Sequence, residues 1–251
     1  KKIAFLFFTI ASLVIASNCP AGNICSKITT EVLKKHGGKN TPDFKIVSKK
    51  EVFGLCEVIV RYQGNFIPIY ATESFMIVGS LFANGKHIGQ QDMLQARNQY
   101  TQRLFSGMSS LIKKATAIEY VPKSYNKKTT IYFFTDPNCP FCKRSEEPVK
   151  KIAQKCRAKL KVLFYPVYGK DDCITAVCKK LSYDQYMSRK WKKTKETCEQ
   201  GKEIVDASTI VARQLGVGGT PTFFIVSERN FEAVYGANMK KLEEKCLEIS
   251  K

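Results

Sequence analysis

Cys139 and Cys142, separated by Pro140 and Phe141, follow the apolar run Thr130-Ile131-Tyr132-Phe133-Phe134 and precede a helix-like stretch. A thiol at the start of a helix faces backbone N–H groups with no intrahelical acceptor and the positive end of the helix dipole. Both favour the thiolate, the form of cysteine that attacks a disulfide. One pKa unit is worth about 1.4 kcal/mol, so the electrostatic demand on such a site is modest. Two intervening residues place the sulfurs about one helical turn apart, close enough to bridge. A structural disulfide and half of a zinc site are the plainer readings of a Cys-x-x-Cys. The strand-then-helix context is a narrower pattern than either needs.

A second motif lies far downstream. Gly216-Val217-Gly218-Gly219-Thr220-Pro221 stands immediately before the apolar run that begins Thr222-Phe223. The glycines permit close backbone approach, and a proline that opens a strand belongs at a bend or bulge. The isomer of the Thr220–Pro221 bond is not decided by sequence.

These motifs need a scaffold, and the periodicities supply one. After the strand at 130–134 comes a helix to about Cys156, in which Pro148 removes a donor and should kink the axis. A strand at 161–165, mostly helical sequence over 171–215, strands at 222–226 and 231–234 and a closing helix at 239–249 complete this half. Upstream, Ile24, Ile28, Val32 and Leu33 recur at helical spacing, with Gly37-Gly38 as a stop. Short β-type runs follow at 44–47, 55–62, 66–70 and 75–78, and Asn84-Gly85 reads as a tight turn. Between the halves, Met93, Leu94, Tyr100, Leu104, Phe105, Met108, Leu111 and Ile112 form a helical apolar stripe. That stripe describes either an ordinary packed helix or a connector between domains. Pro122 and the polar residues 123–128 mark a boundary.

Composition narrows the setting. The 251 residues suffice for one large or two small cores, and 44% hydrophobic with 25% charged residues is ordinary for a globular protein. Ten cysteines point to an oxidising compartment. Lys1-Lys2 before the apolar residues 3–16 reads as a secretory signal peptide, with cleavage after Ala16 or Ala21. A lipid anchor at Cys19 is disfavoured by Asn18, and an uncleaved anchor is the other alternative. The net charge of +19 invites a nucleic-acid partner, but the lysines are scattered and no nucleic-acid motif accompanies them. The densest cluster, Lys190, Lys192, Lys193 and Lys195 around Trp191, reads as a solvated face.

The two motifs together resemble the thioredoxin fold, and within it the bacterial periplasmic disulfide isomerases of the DsbC/DsbG family. Phe134-Thr135-Asp136-Pro137-Asn138-Cys139 is similar to that family's F-T-D-x-x-C, and Leu215-Gly216-Val217-Gly218-Gly219-Thr220-Pro221 to its L-G-V-x-G-T-P. The region around Gly54-Leu55 and Gly79 to Ile88 is similar to its N-terminal domain. The resemblance implies an α+β protein in four parts. They are a signal at 1–21, a cystatin-like dimerisation domain at 22–88, a linker helix at 89–121, and a thioredoxin-like catalytic domain at 122–251 with a helical insertion over 171–208. It implies a periplasmic homodimer without cofactor, working on misoxidised client proteins and kept reduced by a membrane electron donor. It also implies a cis Thr220–Pro221 bond opposite the cysteines, with Thr220, Pro221, Pro140 and Phe141 meeting the substrate. Thr220 would pair its backbone with an extended client segment, a contact indifferent to client sequence. Phe133 occupies the place where thioredoxin and the oxidase DsbA carry a buried acid, which favours the isomerase reading. The Pro140-Phe141 dipeptide departs from the Gly-Tyr of DsbC, so redox poise and substrate preference stay open.

In this reading Cys139 is the exposed nucleophile and Cys142 the buried resolving thiol, with Lys143 and Arg144 in the next turn either supporting the thiolate or simply solvated. Cys178 and Cys198 resemble the family's structural disulfide, a closure worth about 3 kcal/mol. Cys25 with Cys56 and Cys156 with Cys246 are further candidate pairs. Cys173 has no evident partner except Cys19. A zinc site drawn from Cys139, Cys142, Cys173 and Cys178 would leave the Thr-Pro loop without a role, and His36 and His87 lack a third ligand. Two other functions remain beside isomerase and reductase: a dithiol oxidase, and a holdase chaperone with secondary redox activity.

Overall fold

The computed structural model describes residues 24–228 and 230–250. The expected leader, its cleavage points and Cys19 lie outside the described residues. The chain divides after Gly89 into two compact units.

In the first unit the predicted helix is two: α1 (Ile24–Lys27) and α2 (Thr30–Gly37). The break has a local cause. The Thr29 hydroxyl accepts from the Val32 N–H at 3.3 Å and caps α2 from an extended backbone. Strands β1 (Lys45–Val52), β2 (Leu55–Tyr62), β3 (Asn65–Ala71) and β4 (Met76–Val78) form an antiparallel meander in chain order. Leu33, Val58, Val60 and Ile69 build its core, and a Cys25–Cys56 disulfide ties α1 to β2. The pair β5 (Leu81–Ala83) and β6 (Lys86–Ile88) is joined by Asn84-Gly85. Both turn residues have positive φ, 50° and 70°, as a two-residue hairpin turn requires.

The second unit opens with α3 (Gln90–Gly107), α4 (Ser109–Ala115) and β7 (Ile118–Tyr120). The linker helix was expected over 89–121, the span of these elements. The helix breaks at Met108, and Phe105, Ile112 and Ala115 are buried in one core with Phe134, Leu163, Val211 and Phe224. An apolar stripe with this much partner surface packs against it. Then follow β8 (Thr130–Thr135), α5 (Pro140–Lys155), β9 (Lys159–Phe164), α6 (Asp171–Cys178), α7 (Tyr183–Ser188) and a short 3-10 helix at Lys190–Lys193. The chain continues as α8 (Glu199–Gln214), β10 (Thr222–Val226), β11 (Phe231–Tyr235) and α9 (Met239–Ile249).

These strands make one five-stranded sheet in the order β11-β10-β8-β9-β7. Strands β8 and β9 are parallel, joined by the α5 crossover, while β10, β11 and β7 run antiparallel to their neighbours. Both faces are covered, which is why β8 reads as continuous hydrophobicity rather than alternation. Phe133 faces the core shared with α5 and α9, where it stacks on Phe223 at 4.8 Å. Phe134 faces the core shared with α4 and α8. Helix α5 runs through Pro148 as one element, so the expected kink does not end it. Disulfides join Cys156 to Cys246 and Cys178 to Cys198. Gly201 is needed for the latter: a Cβ there would lie 2.6 Å from the Cys178 sulfur. Among the described residues no helix is long and apolar enough to cross a membrane.

Candidate active site

Strand β8 ends at Thr135, and three residues, Asp136, Pro137 and Asn138, carry the chain to Cys139, the N-cap of α5. Cys139 keeps an extended backbone (φ −77°, ψ 120°) while its carbonyl accepts the first helical bond from Lys143 at 3.0 Å. Pro140 occupies the next position, where the missing N–H has no intrahelical acceptor to lose. The Cys139 sulfur therefore stands where the unpaired amides of the first turn begin.

Across from it, Thr220–Pro221 is a cis peptide, and the Thr220 carbonyl accepts from the Cys139 thiol at 3.5 Å. The loop is held by its own bonds: Thr222 Oγ1 donates to the Gly219 carbonyl at 2.8 Å, and the Gly236 N–H donates to the Pro221 carbonyl at 2.9 Å. Motifs about eighty residues apart meet because β10 pairs directly with β8, Thr222 opposite Phe134.

One expectation is corrected. Cys139 is not an exposed thiol but only 3% exposed, with its sulfur 3.5 Å from the Thr220 carbonyl. The exposed members of the site are Pro140, Phe141 and, nearby in the fold, Val167 and Tyr168. Cys142 is fully buried beneath them. Burial pushes its thiol up to about 12, against the smaller pull of the Thr135 and Thr220 hydroxyls. Lys143 and Arg144 are exposed, and the Arg144 guanidinium lies 4.6 Å from the centre of the Phe141 ring.

Two further groups hold the loop before Cys139, and sequence reasoning did not find their role. Asp136 is completely buried, and its carboxylate accepts from the N–H groups of Asn138, Val167 and Tyr168, each at 2.7 Å. Those bonds tie the lead-in to the segment after β9. From the other side, Lys192 Nζ donates to the Pro137 carbonyl at 3.2 Å and to Asn138 Oδ1 at 2.6 Å. It also pairs with Asp172 Oδ2 at 3.2 Å. The lysine cluster read as a solvated face is thus partly internal: Trp191 is buried, and Lys192 is 28% exposed. Nothing in a run of lysines marks which one turns inward.

One of the four cysteines drawn as a zinc site is taken up in a disulfide. Cys178 is bonded to Cys198, and no cluster of three or more His, Cys, Asp or Glu suited to a metal occurs among the described residues. Cys173 is buried and unbridged, its thiol raised by burial and then by the nearby Asp136 and Asp172 carboxylates.

The thioredoxin-like domain family matches residues 116–242, half of the chain, with β8, the Cys-x-x-Cys and the Thr220–Pro221 loop all inside the match. The chain belongs to the thioredoxin-like family. No curated protein matches it. Among solved structures, this thioredoxin-like chain is similar to the catalytic domain of Proteus mirabilis ScsC, at 17% identity over 59% of this chain and 97% of that one, with a TM-score of 0.43. The thiol-disulfide exchange protein alpha-DsbA2 from Wolbachia pipientis is similar at 19% identity over 61% and 98%, with a TM-score of 0.44. A disulfide interchange protein from Neisseria gonorrhoeae is similar at 22% identity over 53% and 97%, with a TM-score of 0.40. The first unit, α3 and α4 lie before the thioredoxin-like match, which begins at residue 116.

Proposed function

We propose that the chain is a thiol-disulfide oxidoreductase that isomerises or reduces non-native disulfides in client proteins through Cys139 and Cys142. The observation that carries this reading is the juxtaposition at Cys139. One sulfur sits at a helix N-terminus and under the carbonyl of a cis-proline loop, with a second thiol buried one turn further on. The first position stabilises negative charge on sulfur, and the second keeps a proton until it is needed.

In the proposed cycle the Cys139 thiolate attacks one sulfur of a client disulfide. The Cys139–client bond forms, the client S–S bond breaks, and the displaced client sulfur leaves as a thiolate that takes up a proton. Isomerisation ends when another client thiolate attacks the mixed disulfide and returns Cys139 as thiolate, with no net change of oxidation state. Reduction ends when Cys142 gives up its proton and attacks Cys139. The client sulfur then departs, Cys139–Cys142 is oxidised, and the client has gained two electrons. A dithiol donor must then resupply those two electrons, in this reading from the membrane of the same compartment.

Thr220 and Pro221 meet the client backbone, and Pro140 and Phe141 form the rim it crosses. The reading includes a periplasmic setting and a homodimer assembled through a cystatin-like first unit. Refolding of a scrambled-disulfide protein tests it: the wild-type chain should restore activity, and Cys139→Ala should fall to the uncatalysed rate. Equal rescue by Cys139→Ala would refute the isomerase and leave a holdase. Cysteines found mostly oxidised in the native compartment would instead indicate a dithiol oxidase.

A further inference from the structure

We propose that Lys192, on the 3-10 helix of the helical insertion, is a positioning residue for Cys139. It clamps the Pro137–Asn138 lead-in and brings a positive charge to the residue before the sulfur that reacts. The inference rests on the reading of Cys139 as the attacking thiol.

Three contacts define the clamp. Lys192 Nζ reaches the Pro137 carbonyl at 3.2 Å, Asn138 Oδ1 at 2.6 Å and Asp172 Oδ2 at 3.2 Å. The neighbouring Trp191 is anchored at both its side chain and its backbone. The indole N–H donates to the Tyr186 carbonyl at 2.8 Å, and Lys179 Nζ donates to the Trp191 carbonyl at 2.8 Å. Lys195 takes the other oxygen of Asp172 at 2.7 Å, so the carboxylate is shared and Lys192 keeps charge to spend on the loop. Asp136 holds the same lead-in through the Asn138 N–H and ties it to the N–H groups of Val167 and Tyr168.

The lead-in is therefore gripped between a buried anion and a mostly buried cation, and neither grip comes from the Cys-x-x-Cys helix itself. Its orientation decides whether the Cys139 sulfur stands over the free amides of α5. The ammonium is bonded to the residue before Cys139, so its charge reaches the site through the lead-in. An insertion with no part in the sheet thereby sets the redox balance of the site.

The full-length protein is equilibrated with mixtures of reduced and oxidised glutathione. The fraction of Cys139 free to alkylate is then read by mass spectrometry. Glutathione supplies the two electrons: disulfide plus two thiols give dithiol plus glutathione disulfide. Lys192→Met should shift the equilibrium constant at least about threefold toward the Cys139–Cys142 disulfide, the size of one nearby, partly screened charge. Lys192→Arg should return it to within about twofold of wild type, because the charge and a donor remain. Asn138→Ala should move it in the same direction, and the double variant no further than the larger single change.

A Lys192→Met protein that folds and titrates with the wild type overturns the inference. Should Lys192→Met not fold, an unchanged equilibrium in Asn138→Ala overturns it equally. Failure of the oxidoreductase reading would look different: the wild type itself would form no glutathione-dependent Cys139–Cys142 disulfide.

Discussion

The two cysteines are given different jobs by their surroundings. Cys139 stands at the mouth of a helix with a carbonyl above it, whereas Cys142 is sealed in and its thiol is pushed up to about 12 by burial. A raised thiol is neutral below its pKa, so reactivity must climb with pH. Alkylation of Cys142 in the reduced, folded protein should rise about tenfold per pH unit and keep rising above pH 9. In the denatured chain it should level off near the ordinary cysteine value, about 8.5. Peptide mass spectrometry checks this, and a folded-state plateau near pH 8 would refute it. Replacing Cys142 by serine should leave client mixed disulfides on Cys139, visible as adducts on non-reducing gels, because the second thiol is what releases them.

Elements are joined to the site by charges that the sheet does not provide. Glu146 on α5 is buried and paired with Arg189, which follows α7 in a left-handed backbone at φ 60°. Arg189 Nη1 also donates to the Tyr186 carbonyl at 2.8 Å, and Tyr183 Oη donates to the Glu146 carbonyl at 2.9 Å. These bonds fasten the insertion to the helix that carries the cysteines. Burial outweighs the attraction of Arg189 and holds the Glu146 carboxyl above its ordinary value.

The two halves of this pair should therefore respond unequally. Glu146→Gln should cost no more than about 1 kcal/mol, while Arg189→Met, which strands a buried carboxylate, should cost about 3 kcal/mol in a denaturant melt. A carboxyl raised by folding favours the folded state below its unfolded pKa and loses that advantage as pH rises through the folded value. The Arg189→Met deficit should accordingly shrink as pH is lowered toward protonation of Glu146. A deficit independent of pH would show that the charge is not its cause.

At the scale of the whole chain, the thioredoxin-like unit contains all the residues assigned to catalysis. The first unit has its own meander, core and disulfide. Its proposed role is pairing, because an isomerase gains from two sites that hold one misfolded client. Sedimentation velocity on the full-length protein should show a dimer at micromolar concentration, and a monomer throughout would remove that part of the reading. The basic balance of +19 predicts a second whole-molecule property. Reduction of an acidic client should slow with added salt more than reduction of a neutral one, since screening weakens attraction between separated charges.

Local chemistry was readable from the chain alone. The Cys-x-x-Cys after an apolar run, the Gly-rich Thr-Pro loop and the closing helix, found at Met239–Ile249, are each written within about a dozen residues. Period and turn chemistry act over that range. The split at Thr29 and the break at Met108 were not readable, because continuous apolar periodicity runs across both. Nor was the strand at Ile118–Tyr120, which has three residues and is defined by pairing to β9. The burial of Cys139 and the inward turn of Lys192 depend on partners 81 and 54 residues away. Contacts of that span exist only once the sheet brings distant segments together, so tertiary structure alone decided them.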